Sequence, residues 1–442
     1  MTRPDGMNIL FAHNNFPGQF HRIAAALAAD TANKVVFLSQ YRRRDIDAPG
    51  VIWRRVPTDA AQDDPREYRR NPLERGEKYA DAMLKLAREG FKPDVVYGHV
   101  GFGCCFYAPD IFLQAAHMGY FEWYFTNEAD TRFFAGKQPI PLSTRATNRR
   151  NNLSTLSALR ECSVGVCPTI WQRDQHPQEF WHKLHVLHDG IDTRFFTPNE
   201  EKKKGLHLKA LTLPQAEEIV TYATRGLEPY RGFHTFYRSL PAVLSARPGA
   251  HVIIMADDRA AYGAKRNDGK TWRQVLEDEV KLEKRDAARV HFLPFQPYDQ
   301  YRELLRASDC HVYLTAPFVL SWSMLEAMSC GCLVVASDTE PVREVLRHGV
   351  NGILTNFWDP AALARRVADC LARKAEFAPL RTAARRTILA RYDLHSLLPR
   401  HLELLRACLH LSRSGKAGLH GADGAGGKPA AGKSPVQVVA AE

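Results

Sequence analysis

The stretch "FVLSWSMLEAM", Phe318 to Met328, sets a glutamate, Glu326, into an apolar helix start with no basic residue beside it. An ionised carboxylate in an apolar setting is costly unless it faces water or something arrives to satisfy it. Ser321 and Ser323 precede it as candidate helix caps, and the N-terminus of a helix gathers unpaired N–H groups and positive charge that suit a phosphate. A carboxylate one turn further in is then placed to accept hydrogen bonds from the vicinal hydroxyls of a ribose. Taken alone, Glu326 also fits a helix-start acid favoured by the helix dipole. A second stretch, "TRGLEPYRGF" from Thr224 to Phe233, follows a buried apolar run and opens a helix. It puts Arg225 and Arg231 at the carboxyl edge of a sheet, where two guanidiniums suit a diphosphate. Arginines at strand ends are also commonly just solvated.

Near the N-terminus, "HNNFPGQF" fills the turn between the first strand and the first helix. It lacks G-x-G-x-x-G, which disfavours a nicotinamide enzyme. Gly18 at the helix start would still bring backbone N–H groups toward an anion, the alternative being an ordinary helix start after Pro17.

Such residues need sheets to position them. Short apolar runs at Met7–His13, Lys34–Ser39, Asp94–His99, Gly119–Phe125, Val164–Pro168 and His185–Asp192 alternate with helical patterns, notably Leu73–Glu89 and Asn151–Glu161. Strands alternating with helices predict a parallel sheet covered on both faces. A polar, Lys-rich stretch over 193–218 reads as a connection, and the alternation then restarts at Ile219–Gly226, His251–Ala256, Val290–Phe295, His311–Thr315 and Leu333–Ser337. The expected fold class is therefore α/β, with two Rossmann-like, doubly wound parallel-sheet domains, 1–192 and 219–390, facing across a cleft where such sheets bind ligands. A helix over 391–411 follows, and the Gly/Ala/Lys-rich segment 412–442 reads as a disordered tail.

The chain has 442 residues, is 45% hydrophobic and carries a formal charge of +11. It is long enough for two cores, and its charge favours anionic partners: nucleic acid, an acidic membrane surface or a phosphorylated small molecule. Basic clusters at Arg42–Arg44, Arg54–Arg55 and Arg69–Arg70 are interrupted by acids and suit a solvated face as well as an anionic patch. Nine cysteines without a C-x-x-C pair read as reduced core residues. No signal h-region and no apolar window near ~18 residues is visible, so a cytoplasmic protein, soluble or peripheral at the inner face of a membrane, is expected.

Taken in order, "TRGLEPYRGF", "HFLPFQPYDQYRELLRASDCHVYLT" and "LSWSMLEAMSCGCLVVASDTEPVREVLRHGVNGILT" resemble the donor domain of glycosyltransferase family 4, covering roughly Ile219 to Val367. "HDGID", His188 to Asp192, is similar to the family's turn at the end of the N-terminal domain. The resemblance implies the GT-B fold and transfer of a sugar, with retention and without a bound metal or other cofactor, from a nucleoside-diphosphate sugar to a glycan or lipid-linked acceptor. It implies that Glu326 holds the ribose as the second glutamate of E-x7-E and that Arg231 takes the place of a diphosphate-binding lysine. Arg225 lies one position from the usual arginine. His99 is similar to the histidine near the donor sugar, while Asn14, Gly18 and Gln19 lie on the acceptor-side loop. The last helix is expected to pack back on the N-terminal domain. No nucleic-acid partner is expected, and contact with an anionic membrane is.

The sequence also departs from that family. Phe318 stands where the first glutamate belongs, Val319 and Ser321 replace glycines, and "MADDRA" replaces a glycine-rich turn. These departures keep a catalytically degenerate GT-B protein that binds a sugar or a partner among the alternatives, with a nucleotide-sugar epimerase as the other. A GT-A enzyme is disfavoured, because the only D-x-D triplet, Asp45–Asp47, lies outside any strand.

Overall fold

The computed structural model describes residues 6–43, 46–58, 72–199, 205–214, 216–263 and 266–420. The first sheet has seven strands: β1 (Asn8–Ala12), β2 (Lys34–Ser39), β3 (Ile52–Arg55), β4 (Val95–His99), β5 (Ala116–Tyr120), β6 (Val164–Cys167) and β7 (Leu184–Val186). They lie in the order β3-β2-β1-β4-β5-β6-β7, and every pairing is parallel. The second sheet has six: β8 (Glu218–Gly226), β9 (Ala250–Asp257), β10 (Val290–Leu293), β11 (Cys310–Tyr313), β12 (Val334–Ser337) and β13 (Ile353–Thr355). Their order, β10-β9-β8-β11-β12-β13, is likewise parallel throughout. Strands such as "ILFA" and "VVFLS" are buried along their length because helices cover both faces of each sheet.

Each sheet reverses its strand order beside its first strand, between β1 and β4 and between β8 and β11. At such a switch point the loops at the carboxyl ends diverge and leave a crevice. Three helices serve that crevice directly: α1 (His21–Ala28) after β1, α2 (Phe233–Ala246) after β8 and α3 (Trp322–Ser329) after β11.

The last helix, α4 (Leu394–His420), lays Leu397, Leu405, Cys408 and Leu409 into the core that holds Ile9, Phe11, Met118 and Val166 of the first sheet. Its backbone runs on past Leu411 to His420, so Ser412–His420 continue a helix where the sequence reads as tail; once a helix is nucleated, adding a turn costs little. The expected tail beyond that point lies outside the described residues. The Lys-rich connection is also more than a link: Leu206–His207 pairs antiparallel with Thr212–Leu213, and Leu206, Leu208 and Ala216 pack under Ile219 and Ile253 of the second domain. The apolar run Gly119–Phe125 is strand only to Tyr120, after which the chain leaves the sheet.

The chain passes between the two domains at two places that lie side by side. Ile191 N–H donates to Tyr392 O at 2.7 Å, and Leu394 N–H donates to Ile191 O at 2.9 Å. Gly190 makes the approach possible, with φ at +87° and room for no Cβ, which would meet the Leu394 Cα at 2.6 Å.

Candidate functional site

On the second domain, the strand end of β8 delivers the basic pair. Arg231 is buried, and its Nη1 donates to Thr315 Oγ1 at 2.7 Å, to the Val319 carbonyl at 3.0 Å and to the Tyr313 hydroxyl at 3.3 Å. Arg231 lines a small cavity with Thr224, Tyr313, Ser321 and Ser323. Ser321 caps α3, its Oγ accepting from the Ser323 N–H at 3.3 Å and lying 3.1 Å from the Ser323 Oγ. The structure thus brings Arg231, Ser321 and Ser323 to one concavity, at the N-terminal end of a helix suited to an anion.

Arg225 is exposed and does not line this concavity, but the Tyr262 ring lies under both guanidiniums, 5.9 Å from Arg225 and 4.7 Å from Arg231. Burial raises the Tyr262 phenol, but the two arginines outweigh it and hold the phenol below its usual range. Tyr262 rides on a loop fixed by Glu228, whose buried carboxylate accepts from the N–H groups of Ala261 at 3.0 Å, Tyr262 at 2.8 Å and Gly263 at 2.6 Å. Glu228 thereby fixes the backbone of "DDRAAYG" against β8.

Glu326 is buried one turn into α3 but does not line the cavity with Arg231. Its neighbours are Tyr298 and Tyr301, and burial lifts its carboxyl to about 8 against the opposing Tyr301 hydroxyl. Arg43 of the first domain reaches this side of the cleft, 5.2 Å from the Phe295 ring centre and 5.7 Å from that of Tyr298.

On the first domain, the remaining expected residues gather around one that the sequence reading left inside a strand. Glu122 follows β5, and its Oε1 accepts from Gln19 Nε2 at 2.8 Å while its Oε2 lies 3.2 Å from His99 Nε2. Burial raises its carboxyl; the His99 hydrogen bond, with the fields of His99, Arg225 and His13, overrides that and holds it below its ordinary range. Glu122 is accordingly ionised, and 28% of its side chain is exposed. His99 itself is buried and stacked on Phe102 at 4.0 Å, so it stands behind Glu122. Gly18 adopts φ +51°, and a Cβ there would come 2.7 Å from the His13 ring. His13 accepts from the Asn15 N–H at 2.8 Å, and burial, with the field of His99 second, drives it down to about 3. Asn14 is buried beneath the loop, its carbonyl accepting from the N–H groups of Gln40 and Tyr41, both at 3.1 Å. The signal for Glu122 was present: like Glu326, it is a lone acid in an apolar run, "GYFEWYF".

Phe318 meets the first domain directly. Its ring packs edge-on to Trp123 at 4.7 Å, Tyr230 at 5.4 Å and Tyr262 at 5.4 Å, and Trp123 in turn stacks on Trp171 at 5.3 Å. Further bonds close the same face. Tyr230 donates to Asp130 at 2.7 Å, Trp322 Nε1 donates to Asp189 at 3.0 Å, and the N–H groups of Ile170 and Trp171 each donate to Glu344 at 2.9 Å. Among the described residues, no group of three or more His, Cys, Asp or Glu is placed to hold a metal ion, and no helix is long and apolar enough to cross a membrane.

The sequence matches the Glycosyl transferase family 4 group over residues 31–196 and Glycosyl transferases group 1 over residues 204–387. The chain belongs to glycosyltransferase family 4. Among curated family relatives, the D-inositol 3-phosphate glycosyltransferase of Segniliparus rotundus is 24% identical over 43% of this chain and 39% of its own length. The counterpart from Mycobacterium bovis is 27% identical over 39% of this chain and 33% of its own length. This chain thus aligns with about two-fifths or less of each relative. The GT-B fold is shared with Anabaena Alr3699/HepE in complex with UDP-glucose, at TM-score 0.64, 17% identity and coverage of 91% of this chain and 100% of that one. It is shared as well with sucrose-phosphate synthase from Thermosynechococcus elongatus, at TM-score 0.68, 17% identity and coverage of 91% and 98%. The family 4 fold expected from the second-domain motifs therefore extends across the chain.

Proposed function

We propose that this family 4 protein transfers a sugar from a nucleoside-diphosphate sugar to a hydroxyl of a glycan or lipid-linked saccharide, with retention and without a metal. The observation that carries the reading is the pairing of Arg231, buried and fixed by three acceptors, with the capped N-terminus of α3 across one small cavity. A diphosphate at that place meets a guanidinium on one side and helix N–H groups on the other. The complex of HepE with UDP-glucose, on the same fold, supports a donor of this class.

In the reaction, the acceptor oxygen bonds to the anomeric carbon as the bond from that carbon to the phosphate oxygen breaks. The hydroxyl proton passes to the departing diphosphate on the same face. Arg231, Arg225 and the α3 N-terminus stabilise the charge that builds there, and Tyr262 braces both guanidiniums. The first-domain loop with Gly18 and Gln19 forms the acceptor wall. Peripheral attachment to an anionic membrane is supported by the helix Leu142–Asn151, which exposes Leu142, Arg145, Arg149 and Arg150 together.

Titration with UDP, GDP and ADP tests the donor site. At least one is expected to bind the parent protein, and failure of all three overturns the reading. Steady-state turnover with the matching nucleotide sugar then separates the role of Arg231. Arg231→Ala should lower turnover by about 100 to 1000 fold, as loss of one preorganised donor does, whereas Arg231→Lys keeps the charge and loses less. Turnover that survives a chelator is expected, and its abolition would overturn metal independence.

A further inference from the structure

We infer that Glu122 recognises the hydroxyls of the sugar being transferred and makes the site select neutral sugars over uronic acids. The inference rests on the donor reading above and adds to it the chemical class of the sugar.

The argument starts from position. Arg225 and Arg231 mark the diphosphate end of the donor, and in such a molecule the sugar is joined to the second phosphate through a single oxygen. Its hydroxyls therefore lie within hydrogen-bond reach of whatever stands beside the basic pair. On the second domain that neighbour is aromatic: Phe318 and Tyr262 pack together at 5.4 Å, and Trp123 closes over them at 4.7 Å from Phe318. Rings of this kind cover the C–H face of a sugar but make no strong bond to its hydroxyls. The polar group beside that aromatic cluster comes from the other domain: it is Glu122, whose chain neighbour Trp123 makes the contact with Phe318.

Its setting is built for accepting. Gln19 Nε2 and His99 Nε2 each engage one carboxylate oxygen, at 2.8 Å and 3.2 Å, and Gln172 Nε2 donates to the Glu122 carbonyl at 2.6 Å. Side chain and backbone are thus both anchored, and each carboxylate oxygen keeps a lone pair for a hydroxyl of the ligand. Fixed charge at this point also discriminates. A hydroxyl donates to the carboxylate, whereas the carboxylate of a uronic acid meets a like charge.

The experiment compares matched donors, UDP-glucose with UDP-glucuronate and GDP-mannose with GDP-mannuronate, and measures each against its bare nucleotide. In the parent protein the neutral sugar nucleotide should bind about tenfold or more tightly than the uronate, the scale of one charge-assisted hydrogen bond. Glu122→Gln, which keeps the shape, should bring that ratio to within about threefold while affinity for the bare nucleotide stays unchanged, and Glu122→Asp should restore part of the preference. If the nucleotides bind but the ratio is the same in parent and Glu122→Gln, this inference fails and the donor site stands. Equal loss for sugar nucleotide and bare nucleotide would reduce Glu122 to a structural role. If no nucleotide binds, the donor reading fails and this inference with it.

Discussion

At the scale of single residues, Glu326 shows how burial stores a charge that can be titrated. Burial raises its carboxyl from 4.5 to about 8. Below pH 4.5 the group is protonated in folded and unfolded chains alike. Between 4.5 and 8 only the unfolded chain gives up the proton, so the folded state loses stability as pH rises through that window. Glu326→Gln cannot ionise and should escape this loss. Its melting temperature, measured from pH 5 to 8.5, is expected to rise relative to the parent toward alkaline pH, and parallel curves would show that Glu326 is solvated. Gly18 is a residue of another kind, since its left-handed φ of +51° and the His13 ring 2.7 Å from a Cβ leave no place for a side chain. Gly18→Ala should cost about 1–3 kcal/mol of strain and raise the acceptor KM while nucleotide affinity holds, because the loop belongs to the first domain alone. A loss of nucleotide affinity in titration would contradict that division.

Among elements, the strands and the loops that follow them were legible in the sequence and the crossing segments were not. Continuous apolar runs such as "KVVFLS" and "HVIIMA" can satisfy only a sheet buried on both faces, so their type and order could be read directly. Arg231 and Ser321 were legible for the same reason, since each follows such a strand. Glu122 carried the same signal as Glu326, a lone acid in an apolar run, but the aromatics around it read as strand and its partners Gln19 and His99 come from other strand ends. The contact of Phe318 with Trp123 was equally hidden: it depends on how two domains face each other, which no local pattern encodes. The helix α4 carries a prediction at this scale. Leu405 is 1% exposed in the core of the first domain, so Leu405→Ala should destabilise by about 2–5 kcal/mol, read as a lower midpoint in chemical denaturation. A change within error would mean that α4 only rests on the surface.

For the whole molecule, acid stability is set by histidines held neutral in the core. Burial drives His13, His188 and His311 down to about 3, and His176 and His234 to about 4, from 6.5 in the unfolded chain. A depressed folded value means that the unfolded chain binds protons first, so the histidines' contribution is complete above pH 6.5 and is lost as pH falls toward 4. The melting temperature should drop steeply below pH 6.5. His311→Gln, which replaces a fully buried ring bonded to Thr221 at 2.9 Å, should make that slope shallower even where it lowers the plateau. Domain pairing gives the other molecular prediction. Glu344 caps two N–H groups of the opposite domain, and Glu344→Ala leaves them without that acceptor. Faster hydrogen exchange at Ile170 and Trp171 is expected, with the core strands of both sheets unchanged. Uniform acceleration would point to global unfolding.

The two interdomain passages at Ile191 and Leu394 have a mechanical consequence. Tied to each other by backbone bonds at 2.7 and 2.9 Å, they form one paired crossing rather than two independent linkers, so strain on one passage is carried by the other. Breaking either bond should therefore loosen both crossings together, read as faster hydrogen exchange at Ile191 and Leu394 alike.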